Sequence, residues 1–286
     1  MHNQVCSEIV AEVKASSPIR TSLYEREGSM WGSLKRPSLR REGELFPCTF
    51  KAIRKRLGIP QPSDISHHIS MIDECRSDDN ALCHEMLTTF GFTQDQMHRA
   101  AERFHLGRSK SGKTIYWMID DIGRCLDGHI GDAWVSTMLK ARYPDLAHYI
   151  IAQHCLFGLH QISMNNFDSN FCLISREATP KSIGIVESER SAVLLSELCP
   201  DLLWLAYSYP INMTIEKFEP LQGRKITLYP RTDPNMESYI SFLELADQVH
   251  RTYRTIDITV SHFLEDNATD DQKQRNIDLL EFMLEK

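Results

Sequence analysis

Residues 181–230 read KSIGIVESERSAVLLSELCPDLLWLAYSYPINMTIEKFEPLQGRKITLYP, and this stretch decides the fold. IGIVES is an apolar run that predicts a buried strand. ERSAVLLSEL predicts a helix and LLWLAYS a second strand. Thr214 caps a short helix in TIEKFEPL, and KITLYP predicts a third strand stopped by Pro230. Downstream, MESYISFLELADQVHRTY is a strongly periodic helix with Ile240, Leu243, Ala246, Val249 and Tyr253 on one face. TIDITVS predicts a fourth strand and DDQKQRNIDLLEFML a last helix. Alternating apolar strands and amphipathic helices predict an α/β fold, with one parallel four-stranded sheet, right-handed crossovers and flanking helices. Ligands of such sheets sit at the carboxyl ends of the strands. The ends of IGIVE and KITLYP are therefore the places to inspect.

Upstream, FHLGRSKSGKTIYWMIDDIGR alternates Ile115, Trp117 and Ile119 with Tyr116 and Met118, a strand signature bracketed by Gly112 and Gly123. A hairpin or meander is expected there. A helix is expected over 134–142, followed by the apolar fragment CLFGLHQI. Thr93 with Gln96 three positions on predicts a capped helix running to about Phe104. A further helix covers about 78–90, with Leu82, Met86, Leu87 and Phe90 on one face. Shorter helices are expected over 49–57, stopped by Gly58 and Pro60, and near 5–15. A loose linker punctuated by Pro18, Pro37 and Pro47 follows the latter. The organisation that results is a basic, partly disordered arm (1–45), a smaller α+β region (46–178) and the α/β domain (179–286).

With 286 residues, 42% apolar and 25% charged, the chain suffices for one large domain or two ordinary ones. No stretch reaches the roughly 20 apolar residues a membrane span needs. The opening MHNQVCSEIVAEVK has no apolar signal segment, so the expected compartment is the cytoplasm. Eight scattered cysteines without a C-x-x-C pair predict buried free thiols rather than a disulfide framework. Cys75, Cys83, His84, His67 and His68 lie close in sequence but lack the paired spacing of a zinc site.

The net charge of −7 is unevenly spread. From Arg20 to Arg56 there are ten Lys/Arg against four Asp/Glu, leaving −13 for the remainder. Lys35, Arg36, Arg40, Arg41, Arg54, Lys55 and Arg56 can contact the phosphates of DNA or RNA; the alternative is a solvated arm. Lys110 and Lys113 add to this basic set. Aromatics such as Tyr24 and Trp31 are sparse in the arm, which argues against base stacking.

Glu187 ends the first strand of the α/β domain, Glu189 follows closely, and Asp233 lies just past the third strand. Converging carboxylates suit Mg²⁺, which orients phosphates and neutralises charge in phosphoryl transfer. Here IVESERSAVLLSELCPDLLWLA and LQGRKITLYP resemble the toprim domain of primase-like proteins of bacterial mobile elements. The resemblance extends through FHLGRSKSGKTIYWMIDDIGR, HCLFGLHQI and IDLLEFML, covering about residues 90–286. It implies a toprim-like, Rossmann-type sheet, DNA primase-like nucleotidyl transfer and bound Mg²⁺. Toprim domains use a glutamate after the first strand as acid/base, which Glu187 matches. An Asp-x-Asp after the third strand holds the metal, to which Glu187 and Glu189 would add.

The departures from that pattern are specific. The first aspartate of Asp-x-Asp falls on Arg231, so only Asp233 remains. The glycine-rich turn after the second strand reads YSYPIN, and the expected basic pair falls on Leu126 and His129. No zinc ribbon precedes the domain. Arginine in the metal's place supplies a fixed positive charge, and its fork can pair with Glu187. Residues 180–286 carry 11 Lys/Arg against 18 Asp/Glu, so without the ion or the arm they would bind nucleic acid poorly. The expectation is a nucleic-acid-associated pseudoenzyme with impaired or lost metal-dependent catalysis. The alternative is a non-enzymatic protein that keeps the scaffold to bind another protein.

A lesser alternative is a P-loop nucleotide hydrolase. Gly107-Arg108-Ser109-Lys110-Ser111-Gly112-Lys113-Thr114 matches G-x-x-x-x-G-K-[ST], and Ile119-Asp120-Asp121 mimics an acidic strand end. That mechanism needs strand, loop and then helix, whose N-terminus meets the phosphates. This sequence predicts helix, loop and then strand, so Lys110–Lys113 reads as a hairpin turn.

Overall fold

The structure, a computed structural model, describes residues 2–15, 76–121, 123–142, 144, 154–162, 181–208 and 214–285. The helix expected over 49–57 and the basic residues Lys35, Arg36, Arg40, Arg41, Arg54, Lys55 and Arg56 lie outside these residues, as does the proline-punctuated linker. In chain order the described elements begin with α1 (His2–Ala15), α2 (Ala81–Thr88) and α3 (Gln94–Arg103). Next come β1 (Gly107–Arg108), β2 (Thr114–Ile119), β3 (Cys125–Ile130), β4 (Ala133–Trp134) and α4 (Val135–Arg142). The last part comprises β5 (Ile183–Val186), α5 (Glu189–Leu198), β6 (Leu203–Ala206), a 3₁₀ helix (Ile215–Leu221), β7 (Lys225–Leu228), α6 (Glu237–Thr252), β8 (Asp257–Val260), α7 (Phe263–Asn267), α8 (Asp270–Gln274) and α9 (Leu279–Glu285). The capping box expected at Thr93 and Gln96 is present at the start of α3.

β5 to β8 form one sheet in the order β6-β5-β7-β8, and every pairing is parallel. Ile183 faces Leu203 on one side and Ile226 on the other, so β5 is central. All four residues of β5 and of β6 are buried, as expected of a sheet covered on both faces. From β5 the chain crosses to β6 on one side and then returns to β7 on the other. The switch point therefore lies between β5 and β7, and a crevice is expected at their carboxyl ends.

β1 to β4 form a second, antiparallel sheet in sequential order. Its strand β2 is buried on both faces. Tyr116 and Met118 look into the main core, whereas Ile115, Trp117 and Ile119 pack with Cys125 and Val135 in a second small cluster. Across β3, Tyr116 pairs with His129 and Met118 with Asp127. Cross-strand partners share a face, so Asp127 and His129 lie on the side of the sheet that faces the main core. Before β2, the Ser109 N–H donates to the Lys113 carbonyl and closes a turn. The segment matching the phosphate-binding loop is thus a hairpin turn followed by a strand, with no helix N-terminus to receive a phosphate.

Several expectations need correction. The helix expected near 5–15 is present as α1, but it does not belong to a solvated arm: it buries Val5, Ile9 and Val13 in the main core. Cys6 on α1 is disulfide-bonded to Cys199 at the end of α5, so the expectation of free thiols fails for this pair. Their sequence separation of 193 hides them from any reading of spacing. Cys83, Cys125 and Cys155 are buried free thiols. On α6 the buried positions are Phe242, Ala246 and Val249, while Ile240 is 50% exposed. The Tyr207 ring, 5.3 Å from that of Phe242, fixes the helix on this neighbouring stripe. The single last helix expected over 270–284 is instead two short ones, α8 and α9. Asn276, in the left-handed region at φ 52°, ends the turn after α8. Asp278 and Glu281 then exchange side-chain-to-backbone bonds that start α9. No helix among the described residues is long and apolar enough to cross a membrane.

Candidate functional site

Glu187 leaves the carboxyl end of β5 with its side chain almost fully buried, at 6% exposure. β7 ends beside it and delivers Arg231. The Arg231 backbone N–H donates to Glu187 Oε1 at 3.2 Å, and its Nε donates to Oε2 at 2.6 Å. Arg231 is 42% exposed, so the pair runs from the interior to solvent. Burial opposes the guanidinium charge, but the Glu187 carboxylate outweighs it and raises the Arg231 pKa. The buried Tyr207 phenol stands near this pair. Burial first and the Glu187 charge second hold it neutral.

Glu189 opens α5 and is also buried. His129 reaches it from β3, with Nδ1 at 2.8 Å from Glu189 Oε1. Burial pulls the His129 pKa down. The hydrogen bond and charge of Glu189, with Asp132 and Asp127 behind, outweigh it and raise the pKa. The His129 ring stacks on Trp134 at 4.7 Å, and Trp134 stacks on His154 at 3.8 Å. His154 Nε2 lies 2.9 Å from Asp127 Oδ2. Asp127 also accepts from the N–H groups of Gly128 and Ser136 and from the Ser136 hydroxyl. These four bonds outweigh burial and lower the Asp127 pKa. Glu187, Glu189, His129 and Arg231 line one cleft of about 590 Å³ at the switch point.

The structure brings Glu187 and Glu189 to one cleft, but not Asp233 into contact with them. Asp233 caps α6: Oδ1 accepts from the N–H of Asn235 and Glu237, and Oδ2 from that of Ser238. Those bonds outweigh burial and hold its pKa low. The three carboxylates expected to share Mg²⁺ thus each have another partner: Arg231, His129 and the helix N-terminus. As arranged they do not fit a cation. Among the described residues no group of three or more His, Cys, Asp or Glu side chains could hold a metal. Lys110 and Lys113 belong to the β1–β2 turn. His129 is the site residue the sequence reading passed over, as a departure from a basic pair. Its signal was local: Asp127 and His129 recur at period 2 in one strand, so two polar groups share a face.

Neither a curated protein nor a solved structure matches the chain. A family model does: the one described as Domain of unknown function (DUF6371) matches residues 80–232, more than half of the chain. The matched residues include both ion pairs of the cleft and end just before Asp233. On that match, the chain belongs to the DUF6371 family.

Proposed function

We propose that this chain is a toprim-like, primase-related nucleic-acid-associated protein in which an arginine has replaced the divalent cation, so that metal-dependent nucleotidyl transfer is lost. The observation that supports this most is the Arg231–Glu187 pair at the carboxyl ends of adjacent parallel strands. A cation expected to sit on Glu187 would compete with a guanidinium already bound there. The strand order β6-β5-β7-β8 and the position of Glu187 agree with the toprim reading. Association with DNA or RNA draws on the basic residues between Arg20 and Arg56. The P-loop reading has less support, because β2 occupies the place of the phosphate-binding helix.

Calorimetry with Mg²⁺ tests the proposal. The unmodified chain should bind Mg²⁺ weakly and synthesise no primer. Arg231→Asp should tighten Mg²⁺ binding about tenfold or more by removing the competing charge and adding a carboxylate. Tight binding by the unmodified chain, lost in Glu187→Ala, would overturn the reading. For the nucleic-acid part, Gln replacements at Lys35, Arg36, Arg40, Arg41, Arg54, Lys55 and Arg56 should flatten the salt dependence, by a slope of about 0.9 per lost phosphate contact. Absence of any binding at low salt would leave the non-enzymatic interaction protein as the better account.

A further inference from the structure

We infer that the cleft between Arg231 and His129 is an anion site that takes a phosphoryl group directly, with no metal ion between protein and phosphate. This deepens the reading above and rests on its metal-free cleft. Arg231 commits only Nε and its backbone N–H to Glu187. Among the described residues its two terminal amino groups have no hydrogen-bond partner, and the side chain lines the cleft. His129 commits Nδ1 to Glu189, which leaves Nε2 as the ring nitrogen available to a ligand. A guanidinium edge and an imidazole N–H lining one cleft match the several acceptor oxygens of a phosphate.

The charges decide how strong such a site can be. Glu187 is paired with the fixed charge of Arg231, and Glu189 is hydrogen-bonded to His129, so both carboxylates already have a partner when an anion arrives. Glu237, at the start of α6, is the remaining acid on the cleft lining. It accepts a hydrogen bond from Asn235, and among the described residues no Lys, Arg or His is paired with it. Glu237 therefore weakens the site, and removing its charge should tighten it.

Calorimetric titration with sulfate at one fixed pH tests the site. Glu237→Gln should bind sulfate about two- to fivefold more tightly. Arg231→Gln should bind it about tenfold more weakly, and Arg231→Lys should fall between. His129→Phe, which keeps a ring on Trp134 but removes the ring nitrogens, should also weaken sulfate binding. Because Arg231→Gln leaves Glu187 buried without its partner, the Glu237→Gln arm keeps the test independent of folding. Inorganic phosphate, a nucleoside monophosphate and a duplex without terminal phosphates then separate the sources. Preference for the monophosphate assigns a free phosphomonoester, and preference for the duplex assigns the nucleic-acid backbone. No sulfate or phosphate binding, or no change in Glu237→Gln, would overturn this inference while leaving the Mg²⁺ result of the previous test standing. Tight Mg²⁺ binding lost in Glu187→Ala would overturn both.

Discussion

A methyl group on Gly184 would sit 2.6 Å from the Trp204 ring. Gly184 is the second residue of the central strand β5, and Trp204 faces it from β6 in register. The indole lies flat over the place a side chain would take, and its N–H donates to the Cys199 carbonyl at 2.9 Å, so it has little freedom to move. Gly184→Ala should therefore overpack the sheet and cost about 1–3 kcal/mol, measured by urea unfolding. An unchanged midpoint would mean that the Trp204 ring can swing away. The need for glycine here was not legible in IGIVES, because nothing in β5 announces which partner residue lies over it. Glu187 was legible, since a single acid after an apolar run marks a strand end. Its partnership with Arg231 followed from the same pattern once β5 and β7 were taken as neighbours, and the structure bears that pairing out.

Single elements were read well where one period governed them, and badly where a cap or a distant ring intervened. The four parallel strands and α5 appear where their apolar runs predict. The face of α6 and the continuity of the last helix did not follow, because Tyr207 and the Asp278–Glu281 cap act across the fold or at a single joint. Asp127 is the strongest case of a polar joint between elements. It ties β3 to α4 through Ser136 and to the segment 154–162 through His154. Asp127→Asn turns one acceptor oxygen into a donor among donors, at a cost of about 2–4 kcal/mol. The sign of its pH effect follows from its lowered pKa. Its stabilisation is fully present above the unfolded value of about 3.9 and is lost as pH falls through the lower folded value. Stability measured from neutral to acid pH should fall less steeply in Asp127→Asn than in the unmodified protein. Equal slopes would show that another carboxylate governs acid unfolding.

At the scale of the whole molecule, the chain's first helix closes the fold. α1 packs on α5 and α9, and its Glu12 carboxylate accepts from the Ser261 hydroxyl and the His262 N–H just beyond β8. Val5, Ile9 and Val13 make the apolar half of this contact, and the Cys6–Cys199 bond makes the covalent half. The two halves differ in what they act on. Burial stabilises the folded state, whereas a cross-link spanning 193 residues chiefly restricts the unfolded chain. Reduction should therefore lower stability by about 2–5 kcal/mol while leaving α1 docked. Ile9→Ala should cost about 2–5 kcal/mol in oxidised and reduced protein alike. Guanidinium unfolding with and without dithiothreitol separates these effects. Cys6→Ala/Cys199→Ala should match the reduced protein and respond to dithiothreitol no further. If dithiothreitol leaves the unmodified midpoint unchanged, packing alone holds α1, and the cysteine pair contributes no cross-link to stability.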